Sequence, residues 1–402
     1  MTTEALTTRA LAARTLDRVL NEGAYSNVLI ANIDAGTNVD RSLYQRLVFD
    51  ALRFLPAIDE AIEAASSRRI DRIQREVLAV LRIATTEVRY LRRPTHSAVS
   101  SAVEAVRELG RGKASGFVNA VMRSVVRQID EPVPAEAYLA MPAWLYARLV
   151  AIFGDDADDF VTASNSAALT GVRSRDGRQR GEAIGIPGAG YLPHDDTLVG
   201  LADAGTIDII DPASVAVVNA LEVETGDRIL DVAAAPGGKT RIIADKVGPH
   251  GLVTACDVHT RRLAHARERS HSMEHIRWIV SDASKPPFRD GVFDKVLLDA
   301  PCTGLGTLRR RPEIRHRVDE AAPARYGHLQ RSMLEATLAL VRPGGRLVYS
   351  VCTVFPEETT EVVGGLGALR PPEAPGIPWG DGSLLAPHVT GTDGMFIAVF
   401  DR

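Results

Sequence analysis

Cys302 and Cys352 each follow a short apolar stretch that predicts a β-strand, so each lies at a predicted strand end. A thiolate can add to C6 of a cytosine ring and make C5 nucleophilic toward a methyl group. This chemistry also needs a hydrogen-bonding or acidic group at the N3 edge of the ring, for which Asp299 is a candidate. A base must then remove the C5 proton, and a second cysteine is a plausible participant in that step. For Cys256 we expect the usual packing role of a buried cysteine.

Acidic residues recur at the ends of the predicted strands in the same half of the chain. They are Asp231, Asp257, Asp282 and Asp299. Each residue taken alone would be interpreted as a helix cap or a turn residue. The carboxyl ends of parallel strands meet at one edge of a sheet, so the set together predicts a ligand site at that edge.

A turn of small residues connects the first of these strands to a helix. It consists of Ala233, Ala234, Ala235, Pro236, Gly237, Gly238 and Lys239. A phosphate-binding loop would need glycine in place of Ala233, and a dinucleotide fold would need G-x-G-x-x-G. Asp257 follows the glycines by about 20 residues, the distance at which an acidic residue binds ribose hydroxyls. The pattern favours a ribose-bearing cofactor without a pyrophosphate, such as S-adenosylmethionine, with Asp282 near its adenine amino group.

Strands and helices alternate through residues 206–402, which predicts a parallel, doubly wound α/β sheet. The predicted strands are 228–232, 252–256, 276–280, 295–298, 346–350 and 396–400. Residues 1–130 instead carry apolar side chains at helical spacing, which predicts an all-α bundle of six or seven short helices. Between them, the proline-rich segment 131–205 predicts a structured linker or a small domain.

Length and composition limit the class of protein. With 402 residues, at least two domains are expected, and 45% hydrophobic with 24% charged residues excludes a disordered, collagen-like or rod-like chain. Residues 1–130 contain 19 basic and 15 acidic residues, a small excess that fits RNA contact or an ordinary solvated surface. No apolar run is long enough to span a membrane, and the three cysteines form no C-x-x-C metal pattern. We expect a cytoplasmic monomer without a metal.

The C-terminal half resembles the RNA cytosine-5 methyltransferases. The whole chain resembles one branch of them, the small-subunit ribosomal RNA methyltransferase B family (RsmB, Sun or Fmu), which joins a NusB-like helical domain to the catalytic domain. The resemblance rests on stretches in the same order along nearly the whole chain: 116–123, 211–214, 234–240, 299–302, 343–345, 349–352 and 393–394. The chain departs from the family at Ala233, where cysteine is usual, and at Thr359, where asparagine is usual.

The resemblance implies a role for each candidate residue. Cys352 would attack C6 of the cytosine, Cys302 would assist release of the product, and Asp299 would contact the base. S-adenosylmethionine would be held by residues 233–239, Asp257, Asp282 and Asp299. The arginines expected to line the RNA path are Arg309, Arg310, Arg311 and Arg315.

The resemblance also implies three domains: a NusB-like RNA-binding bundle at 1–130, a linker or small RNA-binding subdomain at 131–205, and an S-adenosylmethionine-dependent methyltransferase domain with a Rossmann-like sheet at 206–402. The expected activity is methylation of cytosine C5 in RNA, above all in small-subunit ribosomal RNA. The same chemistry on transfer RNA stays open, as does a non-catalytic NusB-like assembly or antitermination factor. The two cysteines and the carboxylates argue against the non-catalytic alternative. A DNA cytosine methyltransferase would lack the second cysteine.

Overall fold

The computed structural model describes residues 6–33, 39–92, 94–128, 141–366, 369–370 and 376–402, the pair 369–370 by its backbone alone. The chain divides into two compact units. The helical unit comprises Met1–Asn165 and Arg310–Arg317, and the sheet unit comprises Ser166–Arg309 and Val318–Arg402. The segment 131–205 expected to form one linker or small domain is thus divided after Asn165. Arg93 and residues 129–140, which also belong to predicted segments, lie outside the described residues.

The described part of the helical unit is built from α-helices, as predicted. They are α1 (Thr8–Asn21), α2 (Ser26–Ala31), α3 (Arg41–Arg53), α4 (Leu55–Ser66), α5 (Arg75–Arg89), α6 (Thr95–Glu108), α7 (Ser115–Arg127), α8 (Ala143–Phe153) and α9 (Ala157–Asn165). Side chains cap two of these helices at the N-terminus. Thr7 caps α1 by accepting from the Ala10 N–H, and Asp40 caps α3 by accepting from the Leu43 N–H. The core contains the periodic apolar side chains, including Leu47 and Leu81.

A second contribution to the helical unit comes from far along the chain. Residues Arg310–Arg317 belong to it, and within them Pro312–His316 form a short 3₁₀ helix. The Glu313 carboxylate accepts hydrogen bonds from the backbone N–H and the hydroxyl of Ser26, at 3.2 and 2.8 Å. His316 Nε2 contacts the Leu52 carbonyl oxygen at 2.8 Å. Nothing in the local sequence distinguishes this segment from a surface loop, so its place in the helical unit was not predicted.

The sheet unit contains two sheets. Its strands are β1 (Thr170–Ser174), β2 (Glu182–Ala183), β3 (Ala189–Leu192), β4 (Ile207–Ile209), β5 (Arg228–Asp231), β6 (Leu252–Asp257), β7 (Ile276–Val280), β8 (Phe293–Asp299), β9 (Val341–Val351), β10 (Leu369–Arg370), β11 (Ile377–Trp379), β12 (Gly382–Leu385) and β13 (Met395–Asp401). The smaller sheet has the antiparallel order β2-β3-β1-β4 and covers a small core of Val172, Leu198 and Ile207. The sequence did not predict this sheet because its strands are only two to five residues long.

The larger sheet carries the predicted strands in the order β11-β12-β13-β9-β8-β5-β6-β7, with β10 paired to β13. β5 to β9 are parallel, which confirms the doubly wound prediction for these five strands. The strand predicted at 396–400 is present but antiparallel to β9, and the β11–β12 hairpin extends this antiparallel side. From β5 the chain continues to β6 and β7 on one side of the sheet and then to β8 and β9 on the other. Sheets of this kind bind ligands at such a switch point, beyond the carboxyl ends of the strands.

Helices connect these strands. They are α10 (Asp196–Asp203), α11 (Pro212–Ala220), α12 (Gly238–Val247), α13 (Thr260–Arg269), α14 (Ala322–Leu338), α15 (Thr360–Val363) and α16 (Pro387–Thr390). Asp211 caps α11 by accepting from the Ala213 N–H at 2.9 Å, and Pro212 takes the first helical position. Across the described ranges of both units, no helix has the length and apolar character that crossing a membrane would require.

Candidate active site

The turn between β5 and α12 is tightly bound to the neighbouring strand. Gly237 has φ +94°, and a Cβ added there would lie 3.1 Å from the Ala266 Cβ, so glycine is required on both counts. The Ala234 N–H donates to the Cys256 carbonyl at 2.7 Å, and the Ala235 N–H donates to Asp257 Oδ2 at 3.1 Å. The result is a rigid, small-residue surface where α12 begins, at the carboxyl edge of the sheet.

Asp257 and Asp282 follow β6 and β7 at the same edge. Asp257 is buried and holds the main chain around it, because its second oxygen accepts from the His259 N–H at 2.8 Å. The next residue, Val258, is 59% exposed and offers an apolar surface beside that carboxylate. Asp282 is exposed, and hydrogen bonds from the Ser284 hydroxyl and N–H lower its pKa. Carboxylates, an exposed apolar side chain and a glycine turn suit the hydroxyls, amino group and base of a nucleoside.

Asp231, at the end of β5, is the most deeply buried of the four acidic residues. It is 1% exposed and accepts a hydrogen bond from the Thr240 hydroxyl at 2.6 Å. Burial raises its pKa to about 7, and the nearby Asp299 acts in the same direction. Asp231 therefore changes its charge close to neutral pH.

Asp299 at the end of β8 is held on both oxygens. Lys239 Nζ donates to Oδ2 at 2.6 Å, and the Ser350 hydroxyl donates to Oδ1 at 2.8 Å. Burial by itself would lower the pKa of Lys239, but Asp299, Cys352 and Asp231 outweigh it and raise that pKa. A charged lysine therefore lies in the field of both Asp299 and the Cys352 sulfur.

The two predicted cysteines meet at this edge. Cys302 Sγ lies 3.1 Å from Cys352 Sγ, and both residues are partly exposed. The hydrogen bond to Cys352, together with burial, raises the pKa of Cys302 well above its usual value. Two thiols so close share a proton more readily than they both ionise. Cys256 is different: it is buried, and burial raises its pKa to about 12, as expected of a packing residue.

Behind the thiols lies a buried carboxylate that the sequence analysis did not single out as a site residue. Glu358 accepts hydrogen bonds from Thr303, Thr353 and Gln330. Its position near a short helix start is typical of an exposed glutamate, and no local pattern marked it. Only the packing of α14 against the ends of β8 and β9 brings these four residues together.

The structure places the four candidate RNA-contacting arginines in different environments. Arg310 is exposed and Arg311 is partly exposed. Arg309 is buried and donates to the Gly391 carbonyl. Arg315 is fully buried, and burial lowers its pKa to about 9. Burial thus removes Arg309 and Arg315 from the surface on which RNA contact was expected.

Neither unit shows a metal centre: the described residues contain no group of three or more His, Cys, Asp or Glu side chains placed to hold a metal ion. The arrangement instead combines the carboxylates and the glycine turn at β5–β7 with a thiol pair and a lysine–aspartate pair at β8–β9. Such an edge can hold a ribose-containing cofactor beside a nucleophilic sulfur.

Comparisons with known proteins agree with both units. A family model described as 16S rRNA methyltransferase RsmB/F matches residues 218–401, and the NusB family model matches residues 6–127. Ribosomal RNA small subunit methyltransferase B of Erwinia tasmaniensis is 31% identical over 420 residues, which span 97% of each chain. The protein of that name from Klebsiella pneumoniae subsp. pneumoniae is 29% identical over 97% of each chain.

Solved structures show the same fold. The crystal structure of PH0851 superposes with a TM-score of 0.82 and 22% identity, covering 98% of this chain and 99% of that one. A methyltransferase homologue from Pyrococcus horikoshii gives a TM-score of 0.55 and 24% identity over 66% of this chain and 97% of its own. At these identities the likeness concerns the fold.

Proposed function

The chain belongs to the RsmB/F family of ribosomal RNA small-subunit methyltransferases, S-adenosylmethionine-dependent enzymes, and from that premise we propose that it methylates C5 of a cytosine in small-subunit ribosomal RNA. The observation that carries the proposed chemistry is the pair of thiols 3.1 Å apart at the ends of β8 and β9. A simple methyl transfer to a nitrogen or oxygen needs no thiol. An attack on C5 needs one sulfur to activate the ring, and a second group to help release it.

Cys352 is the proposed nucleophile. The charged Lys239 is close enough for its pKa to respond to Cys352, and a nearby cation favours the thiolate. The Cys352 sulfur bonds to C6, and the electron pair displaced from the C5–C6 bond makes C5 nucleophilic. S-adenosylmethionine, when bound, supplies the electrophilic methyl group. Asp299, oriented by Lys239 and Ser350, contacts the ring edge while charge builds up in the ring.

Cys302 is the proposed participant in product release. After methylation, the C5 proton must leave before the Cys352–C6 bond can break and restore the aromatic ring. Cys302 keeps its proton in the free enzyme because its pKa is raised. It can therefore pass that proton to the departing Cys352 sulfur across the same 3.1 Å separation and accept the C5 proton in its place, so that the proton lost from C5 ends on the pair of thiols.

The cofactor is proposed to bind along β5 to β7. Ala233 to Ala235, Pro236, Gly237, Gly238 and Lys239 form the tight turn that lets a ligand approach the main chain. Asp257 would accept from ribose hydroxyls, Asp282 from the adenine amino group, and exposed Val258 would contact the base. Asp299 adjoins this turn through its ion pair with Lys239.

The RNA must present its target cytosine out of the base stack, because a stacked base is out of reach of a sulfur at a sheet edge. The exposed Arg310 and the partly exposed Arg311 are the proposed phosphate contacts among the four arginines. The NusB-like helical unit is proposed to supply further RNA contact.

The chemical proposal is tested by replacing each cysteine in turn. Cys352→Ala should reduce methyl transfer below detection and leave S-adenosylmethionine binding within about twofold, because the sulfur touches only the base. Cys302→Ala should slow release, and a covalent RNA–protein adduct should then accumulate on a denaturing gel. Cys256→Ala, at the buried packing cysteine, is the matched control. Full activity in Cys352→Ala would overturn the assignment of the nucleophile.

The substrate is tested by bisulfite sequencing of total RNA from a deletion strain and its parent. Loss of one protected cytosine in small-subunit ribosomal RNA is the expected result. Loss in a transfer RNA would keep the chemistry and reject the ribosomal substrate. An unchanged cytosine pattern would favour the non-catalytic RNA-binding factor.

A further inference from the structure

We propose that Glu358 is a positioning residue, one that sets the working separation of the two thiols by binding the residues next to both of them. The inference rests on the proposed function, since it assigns a role in the same chemistry. It concerns a side chain that touches neither substrate nor cofactor and acts through the segments that carry Cys302 and Cys352.

The Glu358 carboxylate is completely buried and surrounded by donors. It accepts from the Thr303 N–H at 2.9 Å, the Thr303 hydroxyl at 2.5 Å, Gln330 Nε2 at 3.1 Å and the Thr353 hydroxyl at 3.3 Å. The two threonine hydroxyls also lie 2.8 Å from each other. Every donor is neutral, and burial of the carboxylate outweighs these hydrogen bonds and raises the pKa of Glu358.

The two threonine donors are adjacent in sequence to the two cysteines. Thr303 directly follows Cys302, and Thr353 directly follows Cys352. Gln330 on α14 adds a contact on the other side of Cys302, because its Nε2 donates to the Pro301 carbonyl at 2.8 Å. One buried carboxylate is therefore hydrogen-bonded to residues beside both sulfurs.

The carboxylate is itself fixed. Glu358 ends the short turn Pro356–Glu358, and its backbone N–H donates to the Phe355 carbonyl at 3.0 Å. The Tyr349 hydroxyl, from the body of β9, donates to the Glu358 carbonyl at 2.7 Å. Glu358 can thus transmit the rigidity of the sheet to the two segments that carry Cys302 and Cys352.

The charge of Glu358 adds to its geometric role. The described donors to Glu358 carry no positive charge, so no ion pair among them offsets the negative charge of its ionised form. It opposes ionisation of Cys302 and helps keep that pKa high, in the same direction as Asp299. The raised pKa keeps the proton on Cys302.

The first experiment measures thiol geometry without any methylation. In glutathione buffers the two thiols and glutathione disulfide exchange to give a Cys302–Cys352 disulfide and two glutathione thiols. The equilibrium reports the effective concentration of one sulfur at the other. Glu358→Gln keeps the size of the side chain but points an amide NH₂ at existing donors. We expect it to lower this effective concentration by about tenfold or more.

Two variants separate positioning from ordinary stabilisation. Glu361→Gln removes an exposed carboxylate three residues away and should leave the disulfide equilibrium unchanged. Val253→Ala removes apolar contacts from the core of the sheet at β6, which is separated from β8 by β5. It should lower the melting temperature while the effective concentration stays within about twofold of the native value.

The second experiment is kinetic. A displacement of about 1 Å at a reacting group can cost about 100-fold in rate, so Glu358→Gln should lower kcat by about 10- to 100-fold. KM for S-adenosylmethionine should not change, because the cofactor residues lie on β5 to β7. Thr303→Val should also slow the reaction, and the Thr303→Val/Glu358→Gln double variant should be no slower than the slower single variant.

The outcomes distinguish the two proposals. A native disulfide equilibrium and a native kcat in Glu358→Gln would overturn the positioning role. An equal loss in Val253→Ala and Glu358→Gln would also overturn it, since general destabilisation would then explain both. The disulfide measurement does not depend on methyl transfer. Full activity in Cys352→Ala would therefore reject the proposed function, and the disulfide equilibrium of Glu358→Gln would still test whether Glu358 positions the thiols.

Discussion

Two polar clusters, one in each unit, bury charge in opposite ways. In the sheet unit, the Glu358 carboxylate is surrounded by neutral donors beside two thiols. In the helical unit, the guanidinium of Arg315 is enclosed by acceptors: the carbonyls of Arg53 and Pro312, and the side chain of Asn165 at 2.7 Å. Arg317 is similar, with its guanidinium donating to the Val19 and Ala24 carbonyls and lying 4.8 Å from the Tyr25 ring centre.

The difference indicates what each cluster does. Main-chain carbonyls at helix ends are fixed acceptors, so the arginines of the 310–317 segment bind the helical unit together. A carboxylate held by side chains and one loop N–H instead controls the position of the segments that carry the two thiols, and its charge acts on the Cys302 sulfur. Substitutions in the first cluster should therefore change stability, and substitutions in the second should change the chemistry.

The largest expected effect on stability belongs to Arg315→Ala. Removing a buried guanidinium that binds two carbonyls and Asn165 should destabilise the helical unit by about 3 kcal/mol. Amide hydrogen exchange in α3 should accelerate, because the Arg53 carbonyl at its end loses its donor. The folded enzyme should keep kcat within about twofold. Native exchange rates combined with a loss of RNA binding would show that Arg315 contacts RNA after all.

An intermediate effect is expected at Asp231, which tests whether a buried carboxylate at the sheet edge titrates. Its pKa is about 7 in the folded protein and 3.8 without the fold, so the folded state holds an extra proton between about pH 4 and 7. The stability from this group is therefore complete below about pH 4 and is lost as the pH rises through 7. The slope is at most about 1.4 kcal/mol per pH unit.

Asp231→Asn should remove this slope from the pH dependence of unfolding. The measurement is the denaturation midpoint of both proteins at a series of pH values from 4 to 8, with Asp282→Asn as an exposed control. A difference between native protein and Asp231→Asn that does not vary with pH would contradict the raised pKa.

The smallest effect is expected for Arg310→Ala, the exposed neighbour of the buried arginines. Stability should change by no more than about 0.5 kcal/mol. If Arg310 contacts a phosphate, KM for RNA should rise a few-fold, and the slope of log affinity against log salt should fall by about 1. An unchanged salt slope would remove Arg310 from the RNA path and leave Arg311 as the remaining candidate.

Much of the site could be predicted from the sequence because its residues occupy local positions. Asp257, Cys302 and Cys352 each follow a short apolar run, and parallel strands bring such ends to one edge. Helical periodicity similarly predicted the bundle. Leu16 in α1 and Leu81 in α5 each belong to a series of apolar residues spaced as on one buried helix face. The β1–β4 sheet was missed because very short strands have no period to detect.

The sequence alone determined the residue types, their order, and the periodicity that turns each stretch into a helix or a strand. Only the tertiary structure decided that Arg310–Arg317 join the helical unit, which buries Arg315 although its neighbour Arg310 stays exposed. It also decided that Glu358 lies behind the thiols. Both outcomes depend on contacts between residues far apart in the chain, such as Arg315 with Arg53 and Glu358 with Thr303. Such contacts form through packing, which no local pattern of residues encodes.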